Sequence, residues 1–138
     1  MAQVLQAQHM EQIDELDAIN EVMKLYMDGS AKGDGAKLRG AFHPDSKMFG
    51  SLGGQRVDIP IETFFGLAAK GPADVNGSYR ARVESVTRVG DAAVVTLVED
   101  GFWGRVSFVD FFSLAKIDGR WWIVNKTFAH TGGEPPAM

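Results

Sequence analysis

The stretch that decides the fold is Arg105 to His130, RVSFVDFFSLAKIDGRWWIVNKTFAH. Two β-branched and aromatic runs flank Asp118-Gly119, a strong sequence signal for a two-residue hairpin turn with both central residues at positive φ. That turn fixes an expected register in which Ile117 opposes Arg120, Leu114 opposes Ile123, Phe112 opposes Asn125 and Asp110 opposes Thr127. Because side chains alternate along a strand, one face then collects Phe108, Asp110, Phe112, Leu114, Trp121, Ile123, Asn125, Thr127 and Ala129. The other collects Val109, Phe111, Ser113, Ala115, Ile117, Trp122, Val124, Lys126, Phe128 and His130. Both faces are largely apolar, so each needs a cover: the chain's own helices on the first, a second subunit on the other.

Upstream, three more elements with strand character, Tyr79 to Val89, Ala92 to Phe102 and Arg105 to Ile117, are joined by Gly90-Asp91 and Trp103-Gly104, which makes a meander that Trp121 to His130 completes. Before them, Ile13, Leu16, Ile19, Met23, Tyr26 and Met27 recur at helical spacing, with Tyr26 on the buried stripe. Asp34 is placed to cap a second short helix from about Ala36 to Ala41, and Phe42-His43-Pro44-Asp45 breaks it. Short strands at Met48 to Ser51 and Arg56 to Ile59 flank Gly53-Gly54, and a third helix runs from Ile61 to about Ala69, with Phe64 and Phe65 to bury. Residues 1 to 10 read as a loose lead-in and 131 to 138 as a loose tail of a single domain spanning 1–138. Helices first and an antiparallel sheet afterwards define an α+β layout, with the helices on one sheet face.

Composition narrows the function classes. At 138 residues, 45% hydrophobic and 23% charged, the chain suits one globular core. A net charge of -4 with scattered Lys and Arg gives no footprint for nucleic acid. There is no Cys, which removes thiolate nucleophiles and Cys-ligated metals. The three His (His9, His43, His130) share no metal-ligand spacing, so neither metal nor cofactor is expected. No stretch has membrane-spanning length and the N-terminus lacks a leader pattern, which makes the cytoplasm the default location. The Ser residues offer no GxSxG elbow, and the glycines make neither GxGxxG nor a phosphate loop.

The element order, together with Tyr26, Gly29, Asp34, Phe42-His43-Pro44-Asp45, Asp110, Leu114 and Asp118-Gly119-Arg120-Trp121-Trp122-Ile123, resembles the nuclear transport factor two-like superfamily, and within it the putative lumazine-binding family, over about residues 12 to 130. The resemblance implies a cone: a curved antiparallel sheet, made of the four-strand C-terminal meander plus a short N-terminal hairpin, wrapped around three N-terminal helices with an internal pocket. Tyr26 with Gly33-Asp34, and Asp110-Phe111-Phe112, also match motifs of ketosteroid isomerase, another member of the superfamily. By that likeness Tyr26 and Asp110 are the candidate catalytic pair, an oxyanion hole with Asp110 held protonated by an apolar site. The same alignment puts the family's general-base carboxylate at Gly50, which cannot take a proton.

Asp110 is the strongest single candidate, since a carboxyl among Phe108, Phe112 and Leu114 is costly unless paired or neutral. Its plainer role is a structural bond to Thr127, Asn125 or an Arg. Tyr26, Asp110, Asn125 and Thr127 form the expected polar cluster, in a wall of Phe42, Phe49, Phe64, Phe108, Phe112 and Trp121, although core packing alone would account for Trp121. His43 is expected to cap its own turn, and His130 to face away. A homodimer is expected through the face bearing Phe111, Trp122, Val124 and Phe128. Three functions fit: a binder of a small apolar or cyclic molecule; an isomerase, dehydratase or cyclase acting on an enolisable carbonyl compound; or a non-enzymatic scaffold for protein interaction.

Overall fold

The computed structural model describes residues 2–136. Helix α1 (Ala2–Lys32) is followed by α2 (Gly35–Ala41), β1 (Phe42–Leu52), β2 (Gln55–Pro60), α3 (Ile61–Lys70), β3 (Arg80–Val89), β4 (Ala92–Phe102), β5 (Val106–Ile117) and β6 (Arg120–Gly132). The six strands form one sheet in the order β2-β1-β6-β5-β4-β3. This is the expected α+β layout, with differences in strand pairing, at both ends, and at Phe42-His43-Pro44-Asp45, which ends α2 as expected but continues as the start of β1. The β1–β6 pairing is parallel, so the sheet is mixed rather than antiparallel throughout. The stretch expected as a lead-in is helical from Ala2, and the expected tail continues β6 as far as Gly132.

Local chemistry explains the punctuation. Asp34 caps α2 by accepting from the backbone N–H groups of Ala36 (3.0 Å) and Lys37 (3.2 Å). Gly33 turns the chain at φ +67, and a side chain there would strike the Ala68 carbonyl at 2.6 Å, so this turn seats α1 against α3. Asp118 (φ 51) and Gly119 (φ 77) adopt the expected turn, and Ile117 pairs with Arg120.

The core lies between the helices and one face of the sheet. Ile19, Met23 and Tyr26 of α1, Leu38 of α2 and Phe64 and Phe65 of α3 pack against Val95, Leu97, Phe112 and Ile123. Tyr26 meets Phe112 edge-on at 4.8 Å and Phe42 at 5.9 Å between ring centroids.

One residue in β6 changes the parity of the strand. Leu114 pairs with Ile123 as expected, but Ser113 pairs with Asn125, leaving Val124 as an extra residue. Beyond this bulge Phe112 opposes Lys126 and Asp110 opposes Phe128, instead of Asn125 and Thr127. Lys126 and Phe128 are therefore buried on the helix side, while Thr127 and Ala129 are exposed. The expected face assignments of Asn125, Thr127, Ala129, Lys126, Phe128 and His130 are all reversed, since a one-residue slip moves every following side chain to the opposite face.

Phe128 settles against Gly50, its partner in the β1–β6 ladder. A Cβ at Gly50 would meet the Phe128 ring and carbonyl at 2.7 Å. Gly50→Ala should therefore destabilise the protein by about 1–3 kcal/mol through overpacking. Urea denaturation checks this; an unchanged midpoint would show that Phe128 moves aside freely.

Candidate functional site

Four polar side chains converge beneath the helices. Glu99 on β4 and Asp110 on β5 are 1% and 0% exposed. Their positions follow from the β4–β5 ladder, where Leu97 opposes Asp110 and Glu99 opposes Phe108, so the two acids are diagonal neighbours on the same face. The Tyr26 hydroxyl reaches Glu99 Oε2 and Asp110 Oδ2, each at 3.2 Å. Tyr79, just before β3, donates to Glu99 Oε2 at 2.5 Å. Asp110 Oδ1 is buried without a hydrogen-bond partner among the described residues.

Two carboxylates this close in an apolar interior cannot both ionise cheaply. Burial pushes Glu99 well above the usual carboxylate range, the Asp110 charge and hydrogen bond add to this, and Lys126 and Tyr79 oppose it. Burial likewise raises the Tyr26 hydroxyl, reinforced by Asp110 and Glu99, so Tyr26 remains a proton donor. The Tyr79 hydroxyl rises as well, through burial first and the neighbouring Glu99 carboxyl second. The cluster thus holds one carboxyl, Glu99, that burial pushes toward its protonated form, two phenol donors, and a second carboxyl with one oxygen free of hydrogen bonds among the described residues.

Lys126, 4% exposed, stands on the same face as Asp110. Its ammonium lies 4.3 Å from the Phe64 ring centroid and 5.0 Å from that of Tyr26. These are cation–π distances, which offset part of the cost of burying the charge. No carboxylate among the described residues forms an ion pair with it.

Asp110 and Lys126 both open onto a cavity of about 500 Å³, walled by Met48, Leu52, Val57, Phe64, Leu67, Phe102, Trp103, Phe108 and Phe128, with Lys70, Arg105 and Pro136 also lining it. The volume lies in the range of small-molecule sites, and the polar groups are few. Trp103 holds a left-handed backbone (φ 56) and donates from its indole to the Gly71 carbonyl at 2.9 Å, which ties the β4–β5 turn to the end of α3.

Of the expected site residues, Asp110, Phe64 and Phe108 line this cavity. Tyr26, Phe42 and Phe112 are buried behind its wall, where Tyr26 bonds to the acids and does not reach into the open space. Trp121 is also buried, but its indole donates to Glu15 and borders a separate hollow near Lys116 and Arg120. Three expected positions lie outside. Phe49 is exposed beneath the Arg56 guanidinium at 5.4 Å, because it alternates away from the buried Met48. Asn125 and Thr127 bond to each other at 2.9 Å on the far side of the sheet, because of the Val124 bulge. His43 accepts from the backbone N–H of Asp45 at 3.1 Å, a local turn bond. His130, expected to face away, shares the inner face with Phe108, its ring 5.9 Å off, and accepts from the Gly53 N–H.

The expected dimer face is altered as well. Phe128 has left it, and Trp122 is covered by the Arg120 guanidinium 3.6 Å above its ring. Phe111, Val94 and Val98 stay exposed there. No group of three or more His, Asp or Glu among the described residues is placed to hold a metal ion.

Sequence reasoning missed Glu99, Tyr79 and Lys126. Glu99 had a signal: Ala93, Val95 and Leu97 alternate with it, so strict alternation carries the buried face to position 99. Lys126 had none, since the bulge that turns it inward has no turn residue to mark it.

Three helices against a curved, mixed and unclosed sheet place the chain in the class of nuclear transport factor two-like proteins. The chain belongs to the putative lumazine-binding family, whose model matches residues 14–129. Among solved structures it is similar to an NTF2-like protein of unknown function from Shewanella baltica OS155, at 28% identity and TM-score 0.79 over 88% of this chain and 97% of that one. A second NTF2-like protein of unknown function, from Methylobacillus flagellatus KT, is 32% identical with TM-score 0.78, over 87% and 94% of the two chains. Among characterised proteins, aldolase FrzH from Cladobotryum sp is 25% identical over 114 residues, 83% of this chain and 90% of that protein.

The raised Glu99 carboxyl carries a pH signature. A carboxyl whose folded value lies above its unfolded value of about 4.5 imposes no penalty at acid pH; stability is lost as pH climbs from the unfolded toward the folded value. Glu99→Gln mimics the protonated form, so it should gain stability relative to the parent between pH 5 and pH 8, at no more than about 1.4 kcal/mol per pH unit. Paired urea titrations read this difference, and a pH-independent gap would mean that Glu99 is charged in the fold.

Proposed function

We propose that the cavity takes a small, largely apolar carbonyl compound and that the protein moves a proton at the carbon next to its carbonyl group. The observation that carries this reading is the pairing, in one apolar wall, of a carboxyl with an uncommitted oxygen, Asp110 Oδ1, and a buried ammonium, Lys126. A base and a cation on one face are what enolisation needs, one to accept the α-proton and the other to stabilise charge developing on the carbonyl oxygen.

Each neighbour has a role in this scheme. The Tyr26 hydroxyl holds Asp110 through its other oxygen, and the Glu99 carboxyl beside it is pushed by burial toward keeping its own proton. The largely apolar wall offers few competing proton donors, so the enol or enolate can be reprotonated elsewhere, lose a leaving group, or attack a second carbonyl. These ends correspond to isomerisation, dehydration and aldol chemistry, and the aldolase name of the relative supports the last. The Gly50 position is closed by Phe128, so the scheme assigns the base to Asp110. This departs from the ketosteroid-isomerase likeness, which cast Asp110 as a proton donor.

The test is hydrogen–deuterium exchange at the α-carbon of 3-phenylpropanal, followed by NMR in D₂O. The protein should accelerate exchange, and Asp110→Asn should slow it at least about 100-fold, the usual worth of a positioned base. Exchange at the rate of buffer alone would overturn the reading.

For assembly, we infer a two-fold pairing through the outer sheet face. Exposed Phe111 (46%), Val94 (51%) and Val98 (38%) on adjoining strands β4 and β5 support it. Phe111→Asp should convert a dimer to a monomer in analytical ultracentrifugation; a parent protein that sediments as a monomer would count against the pairing.

A further inference from the structure

Lys126 has features that simple charge stabilisation does not call for. An ammonium serving only as an electrostatic anchor gains from carboxylate partners, yet none among the described residues pairs with it. It sits instead among the rings of Tyr26, Phe64 and Phe128, at 5.0, 4.3 and 6.0 Å, in the wall of the cavity. Such a surrounding favours a diffuse cation over a compact, strongly hydrated one.

Resting on the carbonyl reading above, we infer that Lys126 captures the substrate covalently, as an iminium formed with an aldehyde or ketone. The reaction balances without any co-reactant. The ammonium passes a proton to Asp110, and the freed nitrogen lone pair forms a C–N bond while the carbonyl π pair moves to oxygen. Asp110 returns that proton to the oxygen, giving a carbinolamine. A second N–H proton follows by the same route, and the C–O bond breaks to release water. The product keeps one hydrogen and the positive charge on nitrogen, so the ring cluster holds a cation both before and after capture. The iminium acidifies the α-carbon, and Asp110 Oδ1 then removes the α-proton to give an enamine, the carbon nucleophile.

The register places the two groups for this exchange. Lys126 opposes Phe112 and Asp110 opposes Phe128, so they are diagonal neighbours on one face, within reach of a long side chain. Asp110 brings the proton carrier and Tyr26 brackets both, through its hydroxyl to Asp110 and its ring to Lys126.

The experiment incubates the purified protein with 3-phenylpropanal and sodium borohydride, followed by intact-mass and peptide mass spectrometry. The expected result is one reduced adduct per chain, mapped to the peptide containing Lys126 in preference to the other six lysines, Lys24, Lys32, Lys37, Lys47, Lys70 and Lys116. Lys126→Arg keeps the charge but cannot form the iminium, so it should lose the adduct and drop α-exchange to background. Rescue of exchange by arginine would reveal a purely electrostatic role and overturn the inference. So would a wild-type protein labelled on Lys126 no more than on its surface lysines, a result that needs no variant. If Asp110-dependent exchange persists without a Lys126 adduct, covalent capture falls while the carbonyl reading stands. An adduct at Lys126 without exchange supports capture and removes the proton-transfer reading.

Discussion

Two acids buried side by side cannot each carry a full charge, and much of this interior is arranged around that constraint. Glu99 and Asp110 lie diagonally across β4 and β5, and burial beside Asp110 pushes Glu99 toward keeping its proton. Two phenols, Tyr26 from α1 and Tyr79 from the approach to β3, direct their hydroxyls at these carboxyls and tie a helix and the far strand to the sheet. Lys126 brings a buried side chain from β6 into the same interior, set against the rings of Tyr26 and Phe64. Removing one partner leaves another exposed to an apolar surrounding, which is why such a network fixes geometry more strongly than any of its bonds alone.

The scaffold around the network was largely legible in the chain. The helical stripe ending at Tyr26, the Asp34 cap, the Asp118-Gly119 turn and the meander all follow from short-range rules about turns and alternation. The parallel pairing of β1 with β6 was not, because a β1 segment beginning at Phe42 meets a strand 81 residues later (123 minus 42), and no local signal encodes a partner that remote.

The site was read less well, for one physical reason. Strand alternation is a parity rule, and parity is fragile: the single extra residue at Val124 exchanged Asn125 and Thr127 for Lys126 and Phe128. Asp110, upstream on the other strand, kept its place. Glu99 follows the same rule as Leu97 and was open to discovery, whereas Lys126 required knowledge of a bulge that Val, a good strand former, does not advertise.

That bulge gives the fold a route to new chemistry at little structural cost. Along β6 two alternative sets of side chains are interleaved, one basic and aromatic, the other amide and hydroxyl, and only one can look inward at a time. Which set looks inward depends on the bulge itself: with Val124 as the extra residue Lys126 and Phe128 face the helices, whereas pairing Val124 with Ser113 would bring Asn125 and Thr127 to that face and slide the rest of β6 by one residue. The choice between a cationic and a neutral interior is thus made by one irregularity in the backbone of β6 and not by the wall residues one at a time.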